Sequence, residues 1–164
     1  MRPIHGAAAL TLALAGLAAC ASATPPPPET NVTLSDPLGR GVEVIGKGDW
    51  QASPPALHLY LYDAAGSEVA RIPDFPTDYG FYELRDLAEA DVDGDGDGDL
   101  VAIADYVTGI GPDGAEPFSQ AAVWLREADG FTPAPDLVAD VNAAGEIDGM
   151  DTLLAALARG TAQP

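Results

Sequence analysis

From Asn31 onward the apolar residues fall mainly in short runs, some of them alternating with polar ones and separated by Gly, Pro and Asp. That period of two is the mark of half-buried β-strands. Val42-Glu43-Val44-Ile45 predicts a first strand, closed by Gly46 and Gly48. Leu57-His58-Leu59-Tyr60-Leu61-Tyr62 alternates strictly, with three leucines on one face and His58, Tyr60 and Tyr62 on the other. Asp63-Ala64-Ala65-Gly66 is turn chemistry, so Glu68 to Ile72 is expected to return as a hairpin partner. A second hairpin is expected from Ala121-Ala122-Val123-Trp124-Leu125-Arg126 through Asp129-Gly130 to Phe131-Thr132. Leu100-Val101-Ala102-Ile103-Ala104 has no polar interruption and suits a buried strand. The period changes near the C-terminus, where Met150, Leu153, Leu154 and Leu157 follow i, i+3, i+4, i+7. A helix over residues 148–159 is expected, with Asp148 as its cap, Asp151 in its first turn and Gly160 as its stop. Its apolar stripe is expected to pack on the sheet. The pattern as a whole predicts a mainly β fold, a small stand-alone antiparallel β domain with a C-terminal helix.

The first residues follow a different logic. Arg2 precedes Ala7 to Ala19, thirteen residues of Ala, Leu, Gly and Thr without a charge. A bilayer-spanning helix needs about 20 apolar residues, whereas the apolar core of a secretory signal peptide needs fewer. The run ends in Leu17-Ala18-Ala19-Cys20, which resembles the lipobox of bacterial lipoproteins. That resemblance implies cleavage before Cys20 and lipidation of its thiol; the alternative is an ordinary signal peptide with a chance cysteine. Each buried methylene contributes roughly 0.8 kcal/mol, so two or more acyl chains would anchor the chain firmly. Ala21 after the cysteine, in place of Asp, resembles lipoproteins sorted to the outer membrane. The expected organisation is a signal peptide over residues 1–19, then a lipidated Cys20 and Pro-rich tether over 20–30, with the domain over 31–164. Pro25-Pro26-Pro27-Pro28 favours polyproline II, which at about 3.1 Å per residue would hold the domain roughly 30 Å from the membrane.

Composition narrows the functional classes. The chain has 164 residues and 47% hydrophobic content, enough for one folded domain, and a formal net charge of −19. Such a charge opposes sequence-independent binding to nucleic acid and adsorption to anionic lipid through basic patches. One cysteine and two histidines, His5 and His58, rule out an intrachain disulfide framework and a zinc site built from several Cys or His ligands. Cleavage before Cys20 would leave 6 basic against 26 acidic side chains, with His58 the single histidine.

Five of those acids stand in nine residues, Asp91, Asp93, Asp95, Asp97 and Asp99, with glycines at 94, 96 and 98. Their mutual repulsion opposes a compact turn unless a cation offsets it. Oxygen ligands at alternate positions suit Ca²⁺, while Mg²⁺ demands stricter octahedral geometry and keeps its waters. An EF-hand would need an acid at the twelfth loop position, and counting from Asp91 or Asp93 gives Ala102 or Ala104. The segment instead fits Asp-x-Asp-Gly-Asp-Gly-x-x-Asp-Leu, which resembles the FG-GAP/VCBS repeats of integrin-like β-propellers. The resemblance covers about residues 84–137. It implies a loop between antiparallel strands in which Asp91, Asp93, Asp95 and Asp99 bind Ca²⁺ through their side chains and Asp97 through its carbonyl. A single repeat cannot close a propeller of at least four blades, so one blade-like calcium-loop unit inside a small domain is expected. A solvated acidic hairpin tip is the alternative.

Asp140-Val141-Asn142-Ala143-Ala144-Gly145-Glu146-Ile147-Asp148 echoes this loop, but Ala144 replaces a ligand, so a helix-capping turn accounts for it better than a second cation site. The 106–119 segment is long for a hairpin connection, and is read either as a structural insertion or as a recognition loop. No Gly-x-Ser-x-Gly, His-Glu-x-x-His or Ser-x-x-Lys motif occurs. The expected function is that of a non-enzymatic, calcium-binding lipoprotein domain of the cell envelope. It would be lipid-anchored at the outer membrane, on the periplasmic face or the cell surface. Docking of a basic protein partner is the alternative, and a carboxylate-dependent hydrolase a lesser one.

Overall fold

The computed structural model describes residues 30–34, 42–109, 114–128, 130–145 and 147–161. Two four-stranded antiparallel sheets carry the fold. The first contains β1 (Thr30–Leu34), β2 (Val42–Asp49), β3 (Ala56–Tyr62) and β4 (Glu68–Arg71), in chain order. The second contains β5 (Gly80–Ala90), β6 (Asp99–Val107), β7 (Phe118–Glu127) and β8 (Gly130–Pro133), also in order. A 3-10 turn (Pro135–Val138), α1 (Ala139–Ala144) and α2 (Met150–Thr161) follow. The mainly β expectation with a C-terminal helix therefore holds.

Three layers result. Leu34, Val44, Leu59 and Ile72 of the first sheet region pack against Leu87, Leu100, Ala102, Ala122, Trp124 and Phe131 of the second. The opposite face of the second sheet, carrying Val101, Ile103, Ala121 and Val123, packs against Val138, Ile147, Leu153 and Leu157. Strand β6 is thus covered on both sides, which is why its sequence is continuously apolar instead of alternating. The leucine stripe of α2 packs on this sheet as its spacing predicts.

Both expected hairpins form, and the first turn is closed by Asp63, whose carbonyl accepts from Gly66 N at 2.9 Å. Other boundaries differ. Strand β2 does not stop at Gly46 but runs through Gly48 to Asp49. A side chain at Gly46 would collide with Leu84, and a Cβ at Gly48 would lie 2.8 Å from the Phe81 ring. These glycines permit close approach of neighbouring layers and do not end the strand. Strand β1 begins at Thr30, inside the span expected as tether, and Thr30 Oγ1 donates to the Leu84 carbonyl at 3.2 Å. Strand β5 escapes the alternation pattern because its register shifts between Phe81 and Glu83 and again between Leu84 and Asp86. Helix α2 starts at Met150, with the Gly149 carbonyl accepting from Leu153 N at 3.0 Å, and includes Gly160 instead of stopping before it.

The first part of the segment echoing the acidic loop is helical. Residues 139–144 form α1, ended by Gly145 in the left-handed conformation at φ 72°. Within it the Asn142 amide takes both backbone groups of Ala121, accepting from its N–H at 2.8 Å and donating to its carbonyl at 3.0 Å. Strand β8 pairs only with residues 124–127 of β7, so the outward backbone of Ala121 needs another partner, and Asn142 supplies it. Cys20, the expected signal peptide and the proline run lie outside the described residues.

Candidate metal centre

The acidic loop connects β5 to β6, whose pairing closes with Ala90 opposite Asp99. It is a loop between antiparallel strands, as expected. Gly94 and Gly96 adopt φ 84° and 95°, the left-handed region that glycine enters without strain. These kinks let one carboxylate serve two backbone donors: Asp91 Oδ1 accepts from Gly94 N at 2.7 Å and Oδ2 from Gly96 N at 3.1 Å. Asp93 and Asp95 accept from the N–H two residues onward, at 3.1 and 3.0 Å.

Asp91, Asp93 and Asp99 converge, each presenting a carboxylate oxygen within 4.8 Å of the others. Two oxygens bound to one Ca²⁺ at 2.3–2.6 Å lie at most about 5 Å apart, so the spacing fits a common ion of that size. All-oxygen, anionic donors are the chemistry a hard divalent cation takes. The group can hold a metal ion. It does not include Asp95 or Asp97.

Asp99 differs from its neighbours in being fully buried. Its Oδ2 accepts from Val92 N at 2.9 Å and its Oδ1 from Arg126 N at 2.8 Å, so one side chain joins the loop, β6 and β7. Burial pushes its pKa up, the Arg126 and Val92 N–H groups work against that, and the charges of Asp93 and Asp95 add to it. Asp97 is also pushed up, by desolvation first and then by Asp95, and its Oδ1 is a buried oxygen without a hydrogen-bond partner among the described residues. A carboxylate raised in this way is one whose charge the surroundings do not fully compensate. The charge of Arg126 acts to lower the Asp97 pKa, and its Nη1 lies 3.9 Å from Glu89 Oε1.

The loop also has an inward-facing residue. Val92, between two acids, is buried with Ile147, Leu153 and Leu157 beneath α2. Leu154, Leu157 and Ala158 share an open cleft with Asp91 and Asp93. Alternation therefore sends acids to the candidate site and Val92 to the helix layer.

His58, on the face of β3 opposite the leucines, anchors a polar cluster. Its Nδ1 lies 2.9 Å from Asp74 Oδ1 and 2.7 Å from Arg71 Nη2, and its Nε2 lies 3.7 Å from Asp49 Oδ2. Arg71 donates to both Asp74 oxygens, at 2.8 and 2.6 Å. The partners come from β2, β4 and the segment after β4, so no local spacing signals the cluster. Of the 106–119 segment, Tyr106 is buried in β6, and the Phe118 ring stands edge-on to Tyr79 with centroids 4.9 Å apart.

No protein-family model, curated protein or solved structure matches this chain. The centre is therefore characterised by its geometry: three converging carboxylates, one of them fully buried, at a glycine-kinked turn between two strands of the second sheet.

Proposed function

We propose that the chain is a non-enzymatic cell-envelope lipoprotein whose β domain is stabilised by Ca²⁺ at Asp91, Asp93 and Asp99. Asp95 and the Asp97 carbonyl would complete the oxygen set, as the FG-GAP/VCBS-like motif implies. The observation that carries this reading is Asp99, a fully buried carboxylate with raised pKa that converges with two exposed ones. A divalent ion offsets the repulsion among these acids and the cost of burying one of them. Through Val92 N and Arg126 N, the same residue transmits the restraint to the neighbouring strand and to the layer under α2. The role of the ion would be structural.

Anchoring through a lipidated Cys20 at the outer membrane, on its periplasmic face or at the cell surface, rests on the lipobox-like Leu17-Ala18-Ala19-Cys20. No helix among the described residues is long and apolar enough to cross a membrane. Two experiments test the two halves. The melting temperature should rise with added Ca²⁺ and fall on chelation; identical melts in EDTA and in millimolar Ca²⁺ contradict the metal site. Cys20→Ser should abolish acyl labelling and membrane fractionation, and unchanged partitioning contradicts the anchor.

A second reading has an observation of its own. Asp86, Asp148 and Asp151 surround a shallow hollow beside the start of α2, an acidic surface suited to a basic protein partner. Such docking would weaken steeply with ionic strength, because exposed charges are screened beyond about 8 Å at physiological salt.

A further inference from the structure

A cavity lined in part by the segment between β4 and β5 has a different chemistry from the acidic loop. In the β5–β6 pair, Ala90 and Asp99 face each other at the loop end, and Gly80 and Val107 at the far end. At about 3.4 Å per residue, the length of these strands puts the two ends roughly 30 Å apart. Tyr106 near the far end and Trp124, which pairs with Leu100 nearer the loop end, line a cavity of about 240 Å³ together with Phe75, Tyr79, Asp74 and Thr77. Sites for drug-sized ligands usually measure about 300–1,000 Å³, so this one suits something smaller.

Its walls are fixed before any ligand arrives. Trp124 is 2% exposed, its Nε1 donates to the Pro73 carbonyl at 2.8 Å, and its ring meets Phe75 edge-on at 5.4 Å. The indole donor is thus already used, and Trp124 offers the cavity carbon surface and π electrons. Burial pushes the Tyr106 phenol up to about 12, which keeps it neutral. Tyr79 stands at the rim, 37% exposed. The one charged residue in the lining is Asp74, whose side chain is 49% exposed. Arg71 and His58 engage its oxygens from the neighbouring cluster, yet a carboxylate has about four acceptor sites and can take a further donor or charge.

We propose that this aromatic cavity binds a small organic cation of the alkylammonium class, with the ring of Tyr79 and the carboxylate of Asp74 at its mouth. Aromatic faces attract cations through their quadrupoles, and desolvated walls strengthen the attraction. An anion would meet π electrons and a carboxylate, and would have to approach a chain of net charge −19. A neutral apolar molecule of the same shape would fill the space but leave Asp74 and the quadrupoles unused. Charge complementarity therefore selects the cation.

Choline and its neutral isostere 3,3-dimethylbutan-1-ol separate these contributions. Both are titrated by calorimetry into the calcium-supplemented full chain and into Tyr79→Ala and Asp74→Asn variants whose circular dichroism matches the parent and which remain folded at the titration temperature. Saturable choline binding is expected, with the isostere at least about fivefold weaker and each variant at least about threefold weaker. Failure of choline to saturate, equal binding of the isostere, or unchanged affinity in Tyr79→Ala would each overturn the proposal. Repeating the choline titration in EDTA on protein shown to remain folded separates the outcome from the metal site.

Discussion

Replacing Asp99 by Asn is the most direct probe of the acidic turn, because the two side chains have nearly the same shape and differ in charge and donor pattern. In the parent, Asp99 accepts two backbone N–H groups, from Val92 at 2.9 Å and Arg126 at 2.8 Å, and is fully buried. An Asn amide has one oxygen, so one of those donors must face the NH₂ group. Leaving a buried donor unsatisfied costs about 1–3 kcal/mol. The lost charge works the other way in metal-free protein, because burial disfavours the ionised Asp99 and neutral Asn avoids that cost. The loss in EDTA should therefore sit near the lower end, about 1 kcal/mol, or roughly 4 °C in melting temperature for a domain of this size. Calcium adds a second, separable quantity. At one hundred times its Kd a stabilising ligand contributes about 2.7 kcal/mol, or roughly 10 °C on the same scale. Asp99→Asn should lose most of that increment as well as the EDTA difference. Thermal melts of both proteins with EDTA and across a calcium titration read the two quantities independently. If Asp99→Asn melts with the parent in EDTA, the two N–H contacts are not supporting the fold. If it keeps the calcium increment of the parent, Asp99 is not a ligand.

Three further outcomes follow from the same structure. Gly96 has φ 95° with no atom within 4 Å of where a Cβ would stand, so Gly96→Ala has space but not the conformation; denaturant titration should show a loss of about 1–2 kcal/mol, and a neutral result would remove the kinked turn from the account. Asn142→Ala strips Ala121 of both side-chain contacts, and a loss of about 1–3 kcal/mol is expected, accompanied by faster amide exchange at Ala121; unchanged exchange there would contradict the clamp. Asp49 is held below its ordinary 3.8 chiefly by the Gln51 N–H, while at Asp74 burial acts to raise the pKa but the Arg71 and His58 contacts outweigh it and lower it. The stability from these depressed carboxylates is present above about pH 3.8 and is lost as pH falls through their lower folded values. Asp74→Asn should flatten that acid limb in a series of denaturant midpoints, and an unaltered limb would argue against the cluster.

The acidic loop, both hairpins and the helix stripe were legible in the sequence because each rests on local chemistry. Asp63 to Gly66 needs only its own turn geometry, and Asp91 to Asp99 repeats its acids at a spacing that glycine kinks can fold back on themselves. Strand β5 was poorly legible because two register shifts scramble the alternation by which strands are recognised. Gly46 and Gly48 misled for a related reason: in a sequence they punctuate, but here they lie inside β2 and make room for Leu84 and Phe81.

By itself, then, the sequence determined the antiparallel β class and the oxygen-only character of the candidate metal centre, since composition and near-neighbour spacing suffice for these. The tertiary structure alone decided that Asp99 is the buried member, that Asp91 and Asp93 converge on it, and that Val92 carries the turn into the helix layer. It also assembled the His58 cluster and the aromatic cavity, which bring together residues from segments far apart in the chain. Burial and convergence depend on how β5, β6, β7 and α2 stack, and stacking is a property of the packed layers that no local pattern of residues contains.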